Sequence, residues 1–159
     1  MSAAVLWRIA TDTASFEAHD LSGKGAEKTG GRWNRRGRPL VYTARSVALA
    51  CLETVVHLNS ADLPLNRFLV RIEVPESVWE SRLTLGVAEL PVGWSAIPEG
   101  KVSLDAGDAW LQAATSVLLE VPSVIVPEES NVLINPLHPD ASRIKAAKLR
   151  PWFYDQRMR

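Results

Sequence analysis

Glu53 is the one carboxylate in an apolar stretch, Val47-Ala48-Leu49-Ala50-Cys51-Leu52-Glu53-Thr54-Val55-Val56-His57-Leu58. With Ser46 as N-cap, this stretch predicts a helix. The residues one turn from Glu53 are then Leu49, Ala50, Val56 and His57, three of them apolar. A solvent-facing glutamate has polar company on its stripe, whereas this helix is apolar on nearly every side and reads as a buried element. A carboxylate taken out of water must be paired, hydrogen-bonded or lining a cleft. Two readings of Glu53 stand level on this pattern: a structural ion pair with an arginine, or a functional carboxylate. His57 reads first as a satisfied core histidine and second as a partner of Glu53.

The second group lies upstream, in Gly30-Gly31-Arg32-Trp33-Asn34. Two adjacent glycines let the backbone adopt positive φ and approach a ligand closely. From Lys24 to Arg45, seven Lys or Arg residues face the single acid Glu27, although 18 cations and 18 anions cancel over the whole chain. This local concentration of charge points to an anionic partner. No set of His, Cys, Asp or Glu has metal-ligand spacing, so no metal is expected. The single cysteine, Cys51, reads as a small buried hydrophobe.

The elements that position these groups follow from periodicity. Val5–Ile9 predicts a strand in which Arg8 points away from Trp7 and Ile9, and a solvated strand arginine is its first reading. Residues 20–38 read as loop. Pro39–Thr43 predicts a strand with Leu40 and Tyr42 on one face and Val41 on the other. Asp62-Leu63-Pro64 turns the chain into an alternating strand, Arg67–Val74. Residues 75–107 have little pattern and read as an irregular stretch over the site. A helix is expected from about Asp105, with Ala109, Trp110, Ala113 and Ala114 on one side. Val117–Leu119 and Val124–Val126 predict two short strands around Pro122-Ser123, and Asn131–Pro136 a third. The aromatic tail, 149–155, supplies a last edge strand. Helices near both ends with short strands between them give an α+β class, and 159 residues at 47% hydrophobic give one domain, 1–159.

Composition excludes some classes. Zero net charge argues against general nucleic-acid or membrane-surface binding. No stretch approaches the ~20 apolar residues of a membrane span. The first residues carry no basic segment followed by an apolar run, so a cytoplasmic location is expected.

Several segments together carry a resemblance. Gly-Gly-Arg-Trp-Asn at 30–34, Val-Tyr-Thr-Ala at 41–44, Ala50 to Glu53 with His57, Val-Pro-Ser at 121–123 and Asn-Val-Leu-Ile-Asn-Pro-Leu-His-Pro at 131–139 resemble the RES domain family, in order, from Trp7-Arg8 to Tyr154-Asp155. The resemblance implies a split sheet similar to that of ADP-ribosyltransferase toxins. It also implies a toxin of a bacterial toxin–antitoxin pair that degrades NAD⁺ at the nicotinamide–ribose bond. Phosphate or water would be the acceptor, and a protein acceptor is the alternative. By the same resemblance Glu53, Arg32 and Tyr42 would be catalytic, and Arg8, Arg32, Tyr42, Ser123 and Asn135 would contact substrate, Asn135 also serving to cap the turn before Pro136. NAD⁺ would be a substrate rather than a resident cofactor, with inorganic phosphate as co-substrate. The implied partner is a helix-turn-helix antitoxin, with room for a homodimer inside the complex, and no direct nucleic-acid contact.

Two other classes compete on the residues alone. One is a nucleic-acid module using the basic run with Trp33 and Tyr42, for which the neutral remainder gives no support. The other is a non-catalytic scaffold in which Arg32 and Glu53 form a structural pair.

Overall fold

The computed structural model describes residues 2–58 and 64–158, so most of the turn expected at Asp62-Leu63-Pro64 lies outside the described residues. Seven strands form one sheet: β1 (Ser2–Thr11), β2 (Val41–Ala44), β3 (Arg67–Pro75), β4 (Leu83–Thr84), β5 (Leu118–Pro122), β6 (Ser130–Ile134) and β7 (Lys145–Pro151). Their order is β4-β5-β6-β2-β1-β3-β7, antiparallel apart from the short parallel pair β4/β5. Four helices lie against it: α1 (Lys24–Thr29), α2 (Val47–Val55), α3 (Glu76–Glu80) and α4 (Lys101–Ala113). The expected α+β class holds.

Alternation along the strands sorts the core into two faces. On one face Leu6, Val70, Ile72, Val132 and Ile134 pack with Val78 of α3. The other face carries two clusters side by side. Leu40, Leu119, Val121 and Leu133 pack with Trp33 and with Trp110 of α4. Ile9, Ala44 and Leu69 pack with Leu49, Ala50 and Cys51 of α2 and with Tyr154. Leu40 and Val41 fall on opposite faces, as their alternation requires. The seam between the α2 cluster and the α4 cluster runs past Tyr42 and Ala44 on β2.

The sheet is weakest at its centre, because β1 and β2 pair in register only at Trp7 and Ala44. Beyond that bridge the strands part. There the Arg8 guanidinium takes the place of a ladder donor, Nη1 reaching the Tyr42 carbonyl at 3.2 Å.

Helix α2 starts where its cap requires. The Ser46 hydroxyl accepts from the Leu49 amide at 3.1 Å, a cap worth about 1 kcal/mol. Only one side of α2 is buried, however, and Ala48, Val56 and His57 are exposed. An apolar sequence on every side therefore did not bury the helix on every side, and His57 is not a core histidine.

Other expectations need correction. Helix α4 begins at Lys101, and its buried stripe is Ser103, Gly107 and Trp110, while Ala109, Ala113 and Ala114 are exposed. The cause is Gly107: its missing Cβ lets the helix backbone rest on the Trp33 carbonyl. Alanine spacing indicated the wrong face because close approach, not side-chain burial, decides this contact. Residues 24–29 form a helix where loop was expected. Val124–Val126 is a bend rather than a strand. The edge strand β7 ends at Pro151, ahead of the aromatic tail, and no α-helix follows α4 among the described residues.

Of the stretch expected to be irregular, 75–107, residues 76–80 form α3, 83–84 form β4 and α4 takes over from Lys101; the remainder, between β4 and α4, is irregular yet anchored. Leu90 and Trp94 are buried, and the Trp94 ring stacks on Trp33 with centroids 6.3 Å apart and planes 24° from parallel. Gly107→Ala places a methyl group into the Trp33 carbonyl and must push α4 off the 30–34 loop. We expect a loss of about 2 kcal/mol or more, an overpacking cost, read as a lowered midpoint in denaturant titration.

Candidate active site

Three elements meet around Glu53. Helix α2 projects it from the stripe of Leu49 and Ala50, both buried, toward the C-terminal end of β5 and the start of β6. There its Oε1 accepts two hydrogen bonds, from Ser123 Oγ at 2.6 Å and from Asn131 Nδ2 at 2.9 Å. Asn131 sits opposite Ala44 in the β2/β6 ladder, so Glu53 lies on the Tyr42 face of the sheet, in the seam between the two clusters.

The hydrogen positions are forced by valence. Ser123 Oγ receives the amides of Ile125 and Val126, each at 3.1 Å, so its own proton points to Glu53. The bend at 124–126 exists to deliver those two amides. Ser123 is completely buried and all its hydrogen-bonding capacity is used. It holds the carboxylate and has no group left for a ligand. A carboxylate only accepts, so the Asn131 amide nitrogen must face it, which leaves Asn131 Oδ1 buried without a partner.

Glu53 forms no ion pair among the described residues. Glu120 is its counterexample in the same fold. This buried β5 carboxylate takes Arg45 Nη1 at 2.8 Å and Arg82 Nε at 3.0 Å, and both guanidinium groups flank the Trp79 ring. Burial pushes its carboxyl up, but hydrogen bonds from Arg82 and Arg45 outweigh that and leave its pKa below the ordinary value. Glu120 is a structural ion pair. Glu53, held by two neutral donors, is not.

The basic loop is likewise allocated. Arg35 pairs with Asp105 and Asp108 of α4, which clamps the loop to that helix. Asn34 is buried, its Nδ2 donating to the carbonyls of Ala26 and Arg38, both at 2.8 Å. Arg32 donates through Nη1 to the carbonyls of Trp94 and Ala96, at 3.0 and 2.9 Å. The structural pair between Arg32 and Glu53 does not form.

Tyr42 is tied to the 30–34 loop. Its hydroxyl donates to Asn34 Oδ1 at 2.6 Å and accepts from the Trp33 amide at 3.0 Å. Burial raises the phenol's pKa well above its ordinary value, with the Trp33 hydrogen bond opposing, so Tyr42 stays neutral. Its hydroxyl is occupied, which leaves the ring face for a ligand. A Cβ at Gly31 would fall 2.6 Å from that hydroxyl, so the second glycine is required by tyrosine packing.

Two sequence candidates sit apart from this group. Arg8 shares its face with Leu6 and Ala10, opposite Tyr42's ring, and burial lowers its pKa while Asp20 opposes the shift. It touches the site only through the Tyr42 carbonyl. Asn135 is buried about 13 Å along β6 from Asn131, and its Oδ1 accepts from the Leu137 amide at 3.1 Å, which is the turn-capping role. His57 makes no side-chain hydrogen bond to Glu53. Missed in the sequence were Asn131, the first residue of an apolar strand, and Glu120, an acid inside one. Glu99 was also missed; its charge acts on Tyr42 from the margin of the 30–31 loop. Among the described residues, no three His, Cys, Asp or Glu side chains gather to hold a metal, and no helix is long and apolar enough to cross a membrane.

A family model described as the RES domain matches residues 5–155. The chain belongs to the RES domain family. It is 62% identical over 152 residues to a Sphingobium protein named Prs ADP-ribosylating toxin, covering 96% of this chain and 94% of that one. It is 41% identical over 143 residues to the protein named Toxin Res in Pseudomonas putida, covering 89% and 90%. Its fold matches the solved M. tuberculosis MbcT–MbcA toxin–antitoxin complex with a TM-score of 0.68, over 92% of this chain and 84% of that one, at 18% identity.

Two expectations follow from this geometry. Ser123→Ala strips Glu53 of one donor and strands the Ile125 and Val126 amides. Stability should fall by about 1–3 kcal/mol, the cost of unpaired buried polar groups, measured by denaturant unfolding. Glu120→Gln should cost about 1–3 kcal/mol at neutral pH. Because the folded-state pKa of Glu120 is depressed, its contribution is present above the unfolded carboxylate pKa and is lost as pH falls through the folded value. The stability gap between wild type and Glu120→Gln should therefore close on acidification, as melting curves across pH will register.

Proposed function

We propose that this RES-family toxin cleaves the nicotinamide–ribose bond of NAD⁺ and passes the ADP-ribosyl group to phosphate or water. One observation carries the reading: a partly buried carboxylate, Glu53, held by neutral donors with one oxygen uncommitted and no cation paired to it. A structural glutamate has no use for that arrangement, whereas an electrostatic stabiliser requires it.

The chemistry fits one carboxylate. The C–N glycosidic bond breaks, its electron pair leaves with the nicotinamide nitrogen, and positive charge builds on C1 and O4 of the ribose. Nicotinamide is cationic before departure and neutral after it, so no general acid is needed. Glu53 would stabilise the developing cation, and the surrounding apolar seam strengthens that interaction. The Tyr42 ring would stack on nicotinamide or ribose and fix the breaking bond. Arg32 would grip the pyrophosphate or the incoming phosphate. Arg8 enters by holding the Tyr42 backbone, Ser123 and Asn131 by holding Glu53.

A protein acceptor is the second reading, and a particular observation favours it: the relative at 62% identity is named for ADP-ribosylating Prs. The first half of the reaction is common to both readings. The proposal also includes a helix-turn-helix antitoxin that blocks the Arg32 loop, alone or around a homodimer, supported by the fold's match to a toxin–antitoxin complex.

Purified protein incubated with NAD⁺ should release free nicotinamide, with ADP-ribose-1-phosphate appearing only when phosphate is present. ADP-ribose found covalently on added Prs instead would establish the protein-acceptor reading. Glu53→Gln should fold normally and lose ~10²-fold or more in turnover. Wild-type turnover in a folded Glu53→Gln protein sinks the assignment.

A further inference from the structure

Arg32 has five N–H donors, and the turn at 94–96 uses two of them. Both hydrogens of Nη1 are taken, one by the Trp94 carbonyl at 3.0 Å and one by the Ala96 carbonyl at 2.9 Å. This blocks the end-on fork, which needs Nη1 and Nη2 together. The side-on edge, Nε with Nη2, has no partner among the described residues and is not buried. Two parallel donors on one edge match the oxygens of a phosphate.

The carbonyls are themselves held in place. Trp94 is buried and stacks on Trp33, the residue next to Arg32, and both rings pack with Trp110 of α4. Gly93 precedes it at φ +99°, a conformation that side chains resist, and a Cβ there would meet Val102 of α4 at 3.4 Å. The irregular stretch before α4 is thus tied at both sides of its carbonyl pair. Its exposed neighbours, Val92 and Ile97, contribute nothing to that anchoring.

We infer that the Gly93–Ala96 turn is an orienting clamp for Arg32, so that Trp94 and Gly93 are positioning residues which set the grip on a phosphorylated ligand without touching it. The inference rests on the proposed NAD⁺-cleaving reading of the same site.

The test is a double-mutant cycle on ADP-ribose binding, measured by titration calorimetry, with nicotinamide release from NAD⁺ assayed in parallel. Trp94→Phe keeps an aromatic ring in the core, and Gly93→Ala alters the turn without emptying the core, so a failure to fold in one leaves the other. Each should weaken ADP-ribose binding about tenfold, as should Arg32→Lys, which keeps charge but loses the fork. In the Arg32→Lys background, Trp94→Phe or Gly93→Ala should then cost nothing further, because the fork they orient is already gone. A purely structural turn gives additive losses instead, and additivity overturns the clamp, while nicotinamide release by wild type upholds the functional reading on its own. If wild type neither binds ADP-ribose nor releases nicotinamide, the functional reading fails and the clamp fails with it.

Discussion

Glu53 accepts two hydrogen bonds from neutral groups and pairs with no cation among the described residues. A carboxylate removed from water needs compensation, and the usual compensation is a cation. Here the compensation comes from the Ser123 hydroxyl and the Asn131 amide, both of which leave the negative charge unopposed. That choice dictates local structure some distance away. The 124–126 segment must bend so that two amides saturate Ser123 and turn its proton toward Glu53. Asn131 must stand opposite Ala44, as it does in the register of β2 against β6. Ser46 must cap α2 so that Glu53 emerges on the seam side.

The arginines tell the same story by where they go. Seven basic residues cluster between Lys24 and Arg45, and an unpaired carboxylate nearby would attract any that were free to move. Arg35 is taken by Asp105 and Asp108, Arg45 by Glu120, and Arg32 by two backbone carbonyls. Each of the three is occupied in a way that keeps it off Glu53. Glu120, one strand from Asn131, absorbs two guanidinium groups, and this separates a carboxylate in a structural ion pair from Glu53, which has none among the described residues.

Much of this was legible in the sequence because it rests on local rules. The Ser46 cap, the alternation of Leu40, Val41 and Tyr42, and the isolation of Glu53 in an apolar stripe are nearest-neighbour properties, and they hold. What was not legible depends on contacts between distant segments. The buried face of α4 follows from Gly107 meeting Trp33, a backbone contact that hydrophobic periodicity does not encode. Ser123 stood between two expected strands, and nothing near it in sequence says that Ile125 and Val126 fold back onto it. The assignment of Glu120 was open to the same argument used for Glu53, an acid in an apolar run. Only three-dimensional pairing with Arg45 and Arg82 gives the two acids different roles. Arg8 illustrates the limit in reverse. Alternation placed it correctly, on the face away from Trp7 and Ile9, but it is partly buried rather than solvated, and the gap between β1 and β2 lets its guanidinium reach the Tyr42 backbone.

In the proposed reaction, the division of labour within the site would make the acceptor the least constrained part of the chemistry. Glu53, Tyr42 and Arg32 are each fixed from behind, by Ser123 and Asn131, by Asn34 and Trp33, and by the 94–96 carbonyls. Every one of these supports lies on the protein side, so in the proposed reading the donor half of the glycosyl transfer would be preorganised before any ligand arrives. Among the described residues no second carboxylate hydrogen-bonds to Glu53 or to its two donors, Ser123 and Asn131. A developing ribosyl cation is electrophilic enough to react with a weak nucleophile, so a site of this kind needs to generate the cation and exclude bulk water more than it needs to activate the acceptor. Acceptor identity would then be set by what can reach the cation, a property of the surface around the site rather than of the carboxylate that would drive bond breaking.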